Sequence, residues 1–234
     1  MFYISKLDLI KILIMILCFF KVIDVQAVLI VGAGLPASGK STTFKELAKI
    51  YKTNYVFLEP EEHLWPQVLT KKGIIDSFNV ITWLRANRVP NLLEAELLSQ
   101  SGKIVLVDSY YDKLLYSYIG NDDHSWLIRK SHRYFKVLKE IAKLDQDNLP
   151  NADFIVFFKV NYTTWKRFLM SRNRDVDKKI KLLDYYSAEK SILKACEDLS
   201  RSNGIKLIIY NQDESISPFE NAKKIYEMIN LKQN

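Results

Sequence analysis

A short apolar run, Val28-Leu29-Ile30-Val31, leads into Gly34-Leu35-Pro36-Ala37-Ser38-Gly39-Lys40-Ser41, and apolar residues then recur with helical spacing through Tyr51. That order constrains the chain to a strand, a tight loop and a helix. The loop satisfies G-x-x-x-x-G-K-[ST] at every specified position. A loop of this kind turns successive backbone N–H groups inward on phosphate oxygens, and the positive end of the following helix adds to the same field. In this reading Gly34, Leu35, Pro36, Ala37, Ser38, Gly39, Lys40, Ser41 and Thr42 hold the phosphates of a nucleoside triphosphate, ATP being the expected one. Lys40 reaches the terminal phosphates, and the Ser41 hydroxyl ligates Mg²⁺. A ligand-free glycine-rich turn is the plain alternative, and the strand pattern before the loop and the helix pattern after it argue against that.

Beyond the loop, Phe44, Leu47, Ala48 and Tyr51 fall at i, i+3, i+4 and i+7, the stripe of an amphipathic helix. Apolar runs at Tyr55–Leu58, Lys103–Val107, Asp153–Val160 and Ile205–Tyr210 read as further strands. Helical patterns lie between them: 75–100 with Pro90 as a kink or break, 110–119, 125–144, 162–171 and 178–202. In the 125–144 stretch Tyr134, Val137, Leu138 and Ile141 would share a face. Pro218 opens a last helix, where its missing N–H is harmless. Strands alternating with helices predict an α/β fold: a five-stranded parallel sheet with helices on both faces. Ligands then sit at the carboxyl ends of the strands. A chain of 234 residues, 48% hydrophobic, suits one such domain over residues 28–234.

The formal net charge is +7, with a local concentration of basic residues at Lys166, Arg167, Arg172 and Arg174. No aromatic-basic stripe or nucleic-acid module accompanies it, so a polyanionic nucleotide explains the cluster better than a nucleic-acid partner does. The histidines at 63, 124 and 132 lack metal-ligand spacing, and Cys18 and Cys196 form no motif. Residues 1–27 stand apart as an apolar N-terminal segment, with an uncharged stretch from Ile12 to Phe20. That stretch is short for a bilayer span. It fits the apolar region of a signal peptide with Val25-Gln26-Ala27 as a cleavage site, although Lys21 and Asp24 intervene. An extra helix or an upstream start codon fits equally. The need for ATP favours the cytoplasm; export or membrane association through residues 1–27 is the alternative.

Three further groups carry candidate chemistry. Asp108 ends an apolar strand, where a carboxylate would hold Mg²⁺ directly or through water; a helix cap is the competing role. Glu59-Pro60 ends the second strand in LEPEEHLWPQV, placing a carboxylate to accept the proton of an attacking hydroxyl. Trp65, just beyond, would line a pocket for a planar base, or else sit in the core. Arg167, Arg172 and Arg174 leave a helix end and enter the turn SRNRDVD. There they would close as a lid over transferring phosphoryl oxygens, against the default of a solvated charged face.

With these residues in view, the chain resembles the deoxynucleoside kinase and thymidylate kinase group of P-loop kinases over about residues 28–230. The resemblance implies a three-layer P-loop kinase fold. The LEP…W run is similar to the deoxynucleoside kinase segment in which Glu is the catalytic base and Trp lines the nucleoside site, here Glu59 and Trp65. WKRFLMSRNRDVDKKIKLLDYY, residues 165–186, is similar to that family's lid and implies roles for Arg167, Arg172 and Arg174. Residues 84–120 look more like thymidylate kinases, and there Arg88 would match their substrate-phosphate arginine.

Two departures matter. Ser109 stands where both groups carry Arg, and Leu58 stands where thymidylate kinases carry Arg before Glu-Pro. Both remove cations from the acceptor side and favour an uncharged nucleoside over a monophosphate. The resulting expectation is an Mg·ATP-dependent kinase acting on the hydroxyl of a nucleoside, a deoxynucleoside above all, with a homodimer implied by the resemblance alone. A nucleoside monophosphate kinase, a non-catalytic nucleotide-binding module and a toxin-like kinase are the alternatives. The last arises because GLPASGKST is also similar to the loops of polynucleotide kinase and zeta-toxin enzymes.

Overall fold

The computed structural model describes residues 27–66, 77–124, 127–172 and 182–233. Five strands, β1 (Val28–Gly34), β2 (Val56–Phe57), β3 (Ile104–Val107), β4 (Phe154–Lys159) and β5 (Lys206–Asn211), form one parallel sheet in the order β2-β3-β1-β4-β5. The helices are α1 (Lys40–Tyr51), α2 (Ser77–Gln100), α3 (Tyr111–Tyr118), α4 (Phe135–Asn148), α5 (Tyr162–Ser171), α6 (Leu182–Asn203) and α7 (Pro218–Gln233).

The two-residue period of the strands sorts their side chains between two cores. In β1, Val28 and Ile30 pack with Phe44 and Leu47 of α1 and Ala222, Ile225 and Ile229 of α7. Leu29 and Val31 point the other way, into a larger core with Leu92 of α2, Leu115 of α3, Leu138 of α4, Trp165 of α5 and Ile192 of α6. Phe154, Val156 and Phe158 of β4 join the first core, and Ile155 and Phe157 the second. Strands buried on both faces read as unbroken apolar runs, and that is how they stand in the sequence. The three-layer α/β arrangement and its five parallel strands are those expected.

Three expectations change. Pro90 neither ends nor divides α2, which continues to Gln100. The helix expected over 125–144 begins only at Phe135. Before it, His132 N–H bonds the Arg129 carbonyl (2.9 Å), Phe135 N–H bonds the His132 carbonyl (2.9 Å), and the His132 ring accepts from Tyr134 N–H (3.2 Å), a turn chain that pre-empts helix bonds. Tyr134 stacks on Phe78 at the start of α2. Starting there, α4 buries Leu138, Ala142 and Asp145 and leaves Val137 exposed, so Val137 does not share the buried face. Residues 1–26, including the apolar segment, lie outside the described residues. Among the described residues no helix is long and apolar enough to cross a membrane.

Candidate active site

β1 is central in the sheet, between β3 and β4, and its carboxyl end is the point where the strand order reverses. Two glycines shape the chain there. A Cβ at Gly32 would lie 2.8 Å from the Asp108 carbonyl, so its absence lets the end of β3 close against β1, where Tyr110 N–H bonds the Gly32 carbonyl at 3.0 Å. Gly39 takes φ +87° at the N-cap of α1, and a Cβ would press within 2.8 Å of the Gln212 amide. The loop is also held from behind. Trp165, fully buried on α5, donates Nε1–H to the Pro36 carbonyl at 2.9 Å. Asn161 caps α5 by accepting from Thr164 N–H at 2.9 Å.

Lys40 Nζ donates to the carbonyls of Leu35 (2.8 Å) and Gly34 (3.2 Å). Burial pushes its ammonium below the ordinary lysine range, opposed by Glu59 and Asp108 and reinforced by Arg172. The Ser41 hydroxyl donates to Asp108 Oδ2, while Asp108 Oδ1 accepts from Glu59 N–H at 2.9 Å. Burial, then the neighbouring charge of Glu59, raises the Asp108 carboxyl to about 6. A half-buried hydroxyl and a buried carboxylate beside a phosphate-binding loop match what Mg²⁺ requires of protein.

Glu59 follows β2 and opens on the cleft, its side chain 42% exposed. Burial favours its neutral form, but Arg88, Lys40 and a hydrogen bond from Ser109 outweigh this and hold its carboxyl below the usual range. Arg88, on α2 and buried, donates Nη1–H to Glu59 Oε1 at 3.1 Å. It grips Asp112 with Nε (2.7 Å) and Nη2 (3.2 Å).

A cleft of about 380 Å³ lies over the loop, bounded by Glu59–Glu61, by Phe168 and Arg172 of the α5 end, and by Gln212 and Pro218. A smaller cavity of about 60 Å³ adjoins it through Pro36, Lys40 and Glu59, walled by Tyr110, Tyr111 and Tyr118.

The structure therefore brings together Lys40, Ser41, Glu59, Arg88 and Asp108, with Arg172 at the cleft wall. Two residues stand elsewhere. Trp65 packs on Trp83 (ring centroids 6.0 Å apart) with its N–H on the Pro60 carbonyl. Arg167, 63% exposed, pairs with Glu214 in the β5–α7 loop. Arg174 lies outside the described residues. Asp112, Ser109 and Trp165 entered no sequence expectation as site residues. Asp112 carried a faint signal, the one acid in the first turn of α3.

A phosphate loop at the switch point of a 2-3-1-4-5 parallel sheet, with helices on both faces, defines the P-loop kinase fold. Solved structures narrow the likeness. The chain is similar to deoxyadenosine kinase from M. mycoides with bound dATP, at TM-score 0.65 and 17% identity, over 86% of this chain and 99% of that one. It is similar to the same enzyme with bound dCTP, at TM-score 0.59 and 16% identity, over 86% and 98%. It is also similar to thymidylate kinase from Candida albicans, at TM-score 0.55 and 18% identity, over 88% and 92%. The fold is thus deoxynucleoside/thymidylate kinase-like. No protein-family model and no curated relative matches the sequence.

Proposed function

We propose that the protein is an Mg·ATP-dependent phosphotransferase that phosphorylates the hydroxyl of a nucleoside, above all a deoxynucleoside. One observation carries the reading: at the carboxyl ends of three adjacent strands Lys40, Ser41 and Glu59 line one cleft, and the buried Asp108 bonds both Ser41 and the Glu59 N–H. Residues 34–42 would hold the phosphates, and Ser41 with Asp108 would hold Mg²⁺. Held there, the metal would supply positive charge against the phosphates during transfer.

Glu59 orients the acceptor hydroxyl and takes its proton as the oxygen–phosphorus bond forms. The bond from the γ-phosphorus to ADP breaks in the same step. Lys40 and Arg172 would face the charge that spreads over the phosphoryl oxygens, and Arg167, once released from Glu214, and Arg174 would complete the lid. The aromatic wall of Tyr110, Tyr111 and Tyr118 beside Glu59 supports a planar base on the acceptor side.

Arg88 beside Glu59 is the observation that favours the second reading, a nucleoside monophosphate as acceptor. The test is a transfer assay from ATP to nucleosides and to nucleoside monophosphates, with Lys40→Met as control. Phosphorylation of nucleosides by the wild type, lost in the control, is the expected result. Transfer to monophosphates alone would overturn it.

A further inference from the structure

Three carboxylates, Glu59, Asp108 and Asp112, meet where β2 and β3 end, and Lys40 and Arg88 stand among them. Of the two cations, Lys40 faces the loop that would hold phosphate. Arg88 is engaged on every side: both Asp112 oxygens take Nε–H and Nη2–H, Glu59 takes Nη1–H, and the guanidinium lies 4.5 Å from the centroid of the Tyr111 ring. The fork that would match a phosphate bidentately is already filled by Asp112. The pair is sealed as well, Arg88 being 7% and Asp112 3% exposed, so Asp112 fixes the guanidinium in one orientation.

Resting on the phosphotransfer reading above, we propose that Arg88 is a positioning residue. Anchored by Asp112, it sets the Glu59 carboxylate for an uncharged acceptor hydroxyl, and it does not grip an acceptor phosphate. The Ser109 hydroxyl holds the same carboxylate from the β3 side. Asp112 and Glu59 together neutralise the Arg88 guanidinium and take three of its N–H donors, which leaves it poorly suited to a phosphate dianion and suited to orienting a carboxylate for a neutral alcohol.

The experiment compares Arg88→Lys and Asp112→Asn in the wild-type chain and in a Glu59→Gln background, with nucleoside acceptor and MgATP. Each should lower kcat by about 10- to 100-fold, because a small misplacement of the reacting geometry suffices for that loss. The KM for ATP should stay within about twofold. In the Glu59→Gln background each should have almost no further effect, since both act through Glu59. Full losses in that background would overturn the proposal. So would Arg88→Lys raising the KM of a monophosphate acceptor at unchanged kcat. A wild type that phosphorylates no nucleoside would sink the proposed activity instead. The positioning claim would then be decided by crystal structures of the wild type and Asp112→Asn: a displaced Glu59 carboxylate sustains it, and an unmoved one refutes it.

Discussion

The Ser41 hydroxyl, in the first turn of α1, donates to the carboxylate of Asp108 at the end of β3, and the other oxygen of that carboxylate receives the Glu59 N–H. One buried acid thus ties the phosphate loop to the strand end that carries the proposed base. Its position has a cost, since burial and the charge of Glu59 raise its pKa from 3.8 to about 6. Folding therefore favours the protonated form. The stability this group contributes is full below about pH 4 and is lost as pH rises through 6, by about 3 kcal/mol.

Asp108→Asn should accordingly raise the melting temperature of the nucleotide-free protein at pH 8 and change it little at pH 4. The same substitution should abolish Mg²⁺-dependent turnover. Thermal melts at the two pH values test the first part, and a transfer assay tests the second.

Metal binding requires the ionised carboxylate. With Asp108 titrating near 6, only about one-tenth of the protein is ionised there at pH 5, so Mg²⁺ affinity should fall about tenfold between pH 7.5 and pH 5. Calorimetric titration with Mg²⁺ in the presence of ADP measures this. An affinity independent of pH would contradict the assignment of Asp108 as ligand.

Trp165 sets the loop without facing the ligand. Trp165→Phe keeps an aromatic ring against Tyr162, Tyr185 and Tyr186 but removes the hydrogen bond to the Pro36 carbonyl. The expected loss is about 1 kcal/mol, read as a roughly fivefold rise in the KM for ATP with the fold intact.

These contacts show which parts of the site a sequence exposes. The loop is legible because its spacing, Gly39 and Lys40 above all, is dictated by the backbone geometry of phosphate binding. The strands are legible as apolar runs, β1 and β4 because burial on both faces leaves hardly a polar residue in them. Asp108 and Glu59 are legible as acids that end such runs. What stays hidden depends on long-range packing. Arg88 reads as a substrate arginine until Asp112, on another helix, is seen to occupy its fork. Trp165 reads as one more core residue until its N–H meets Pro36. Val137 lies at the surface because packing turns Leu138, Ala142 and Asp145, at i, i+4 and i+7, to the core, a choice among neighbouring faces that periodicity alone does not make.

The two arginines of α5 and its end should separate in effect. Arg172 lines the cleft, whereas Arg167 is paired with Glu214 at the surface. Arg172→Ala should lower kcat by about 10²-fold, the loss typical of one transition-state donor. Arg167→Ala should lower kcat less, and its stability should stay within about 1 kcal/mol of wild type, as for other exposed ion pairs. Steady-state kinetics and thermal melts of both variants make the comparison.

The most direct measurement is ATP binding and phosphoryl transfer to deoxynucleosides by Glu59→Gln beside the wild type. The proton of the attacking hydroxyl has nowhere to go in the amide variant, while the loop, Lys40 and Asp108 are untouched. The account predicts ATP affinity within about twofold of wild type and a kcat reduced at least about 10²-fold, the lower range of general-base contributions. Undiminished transfer by Glu59→Gln would contradict it.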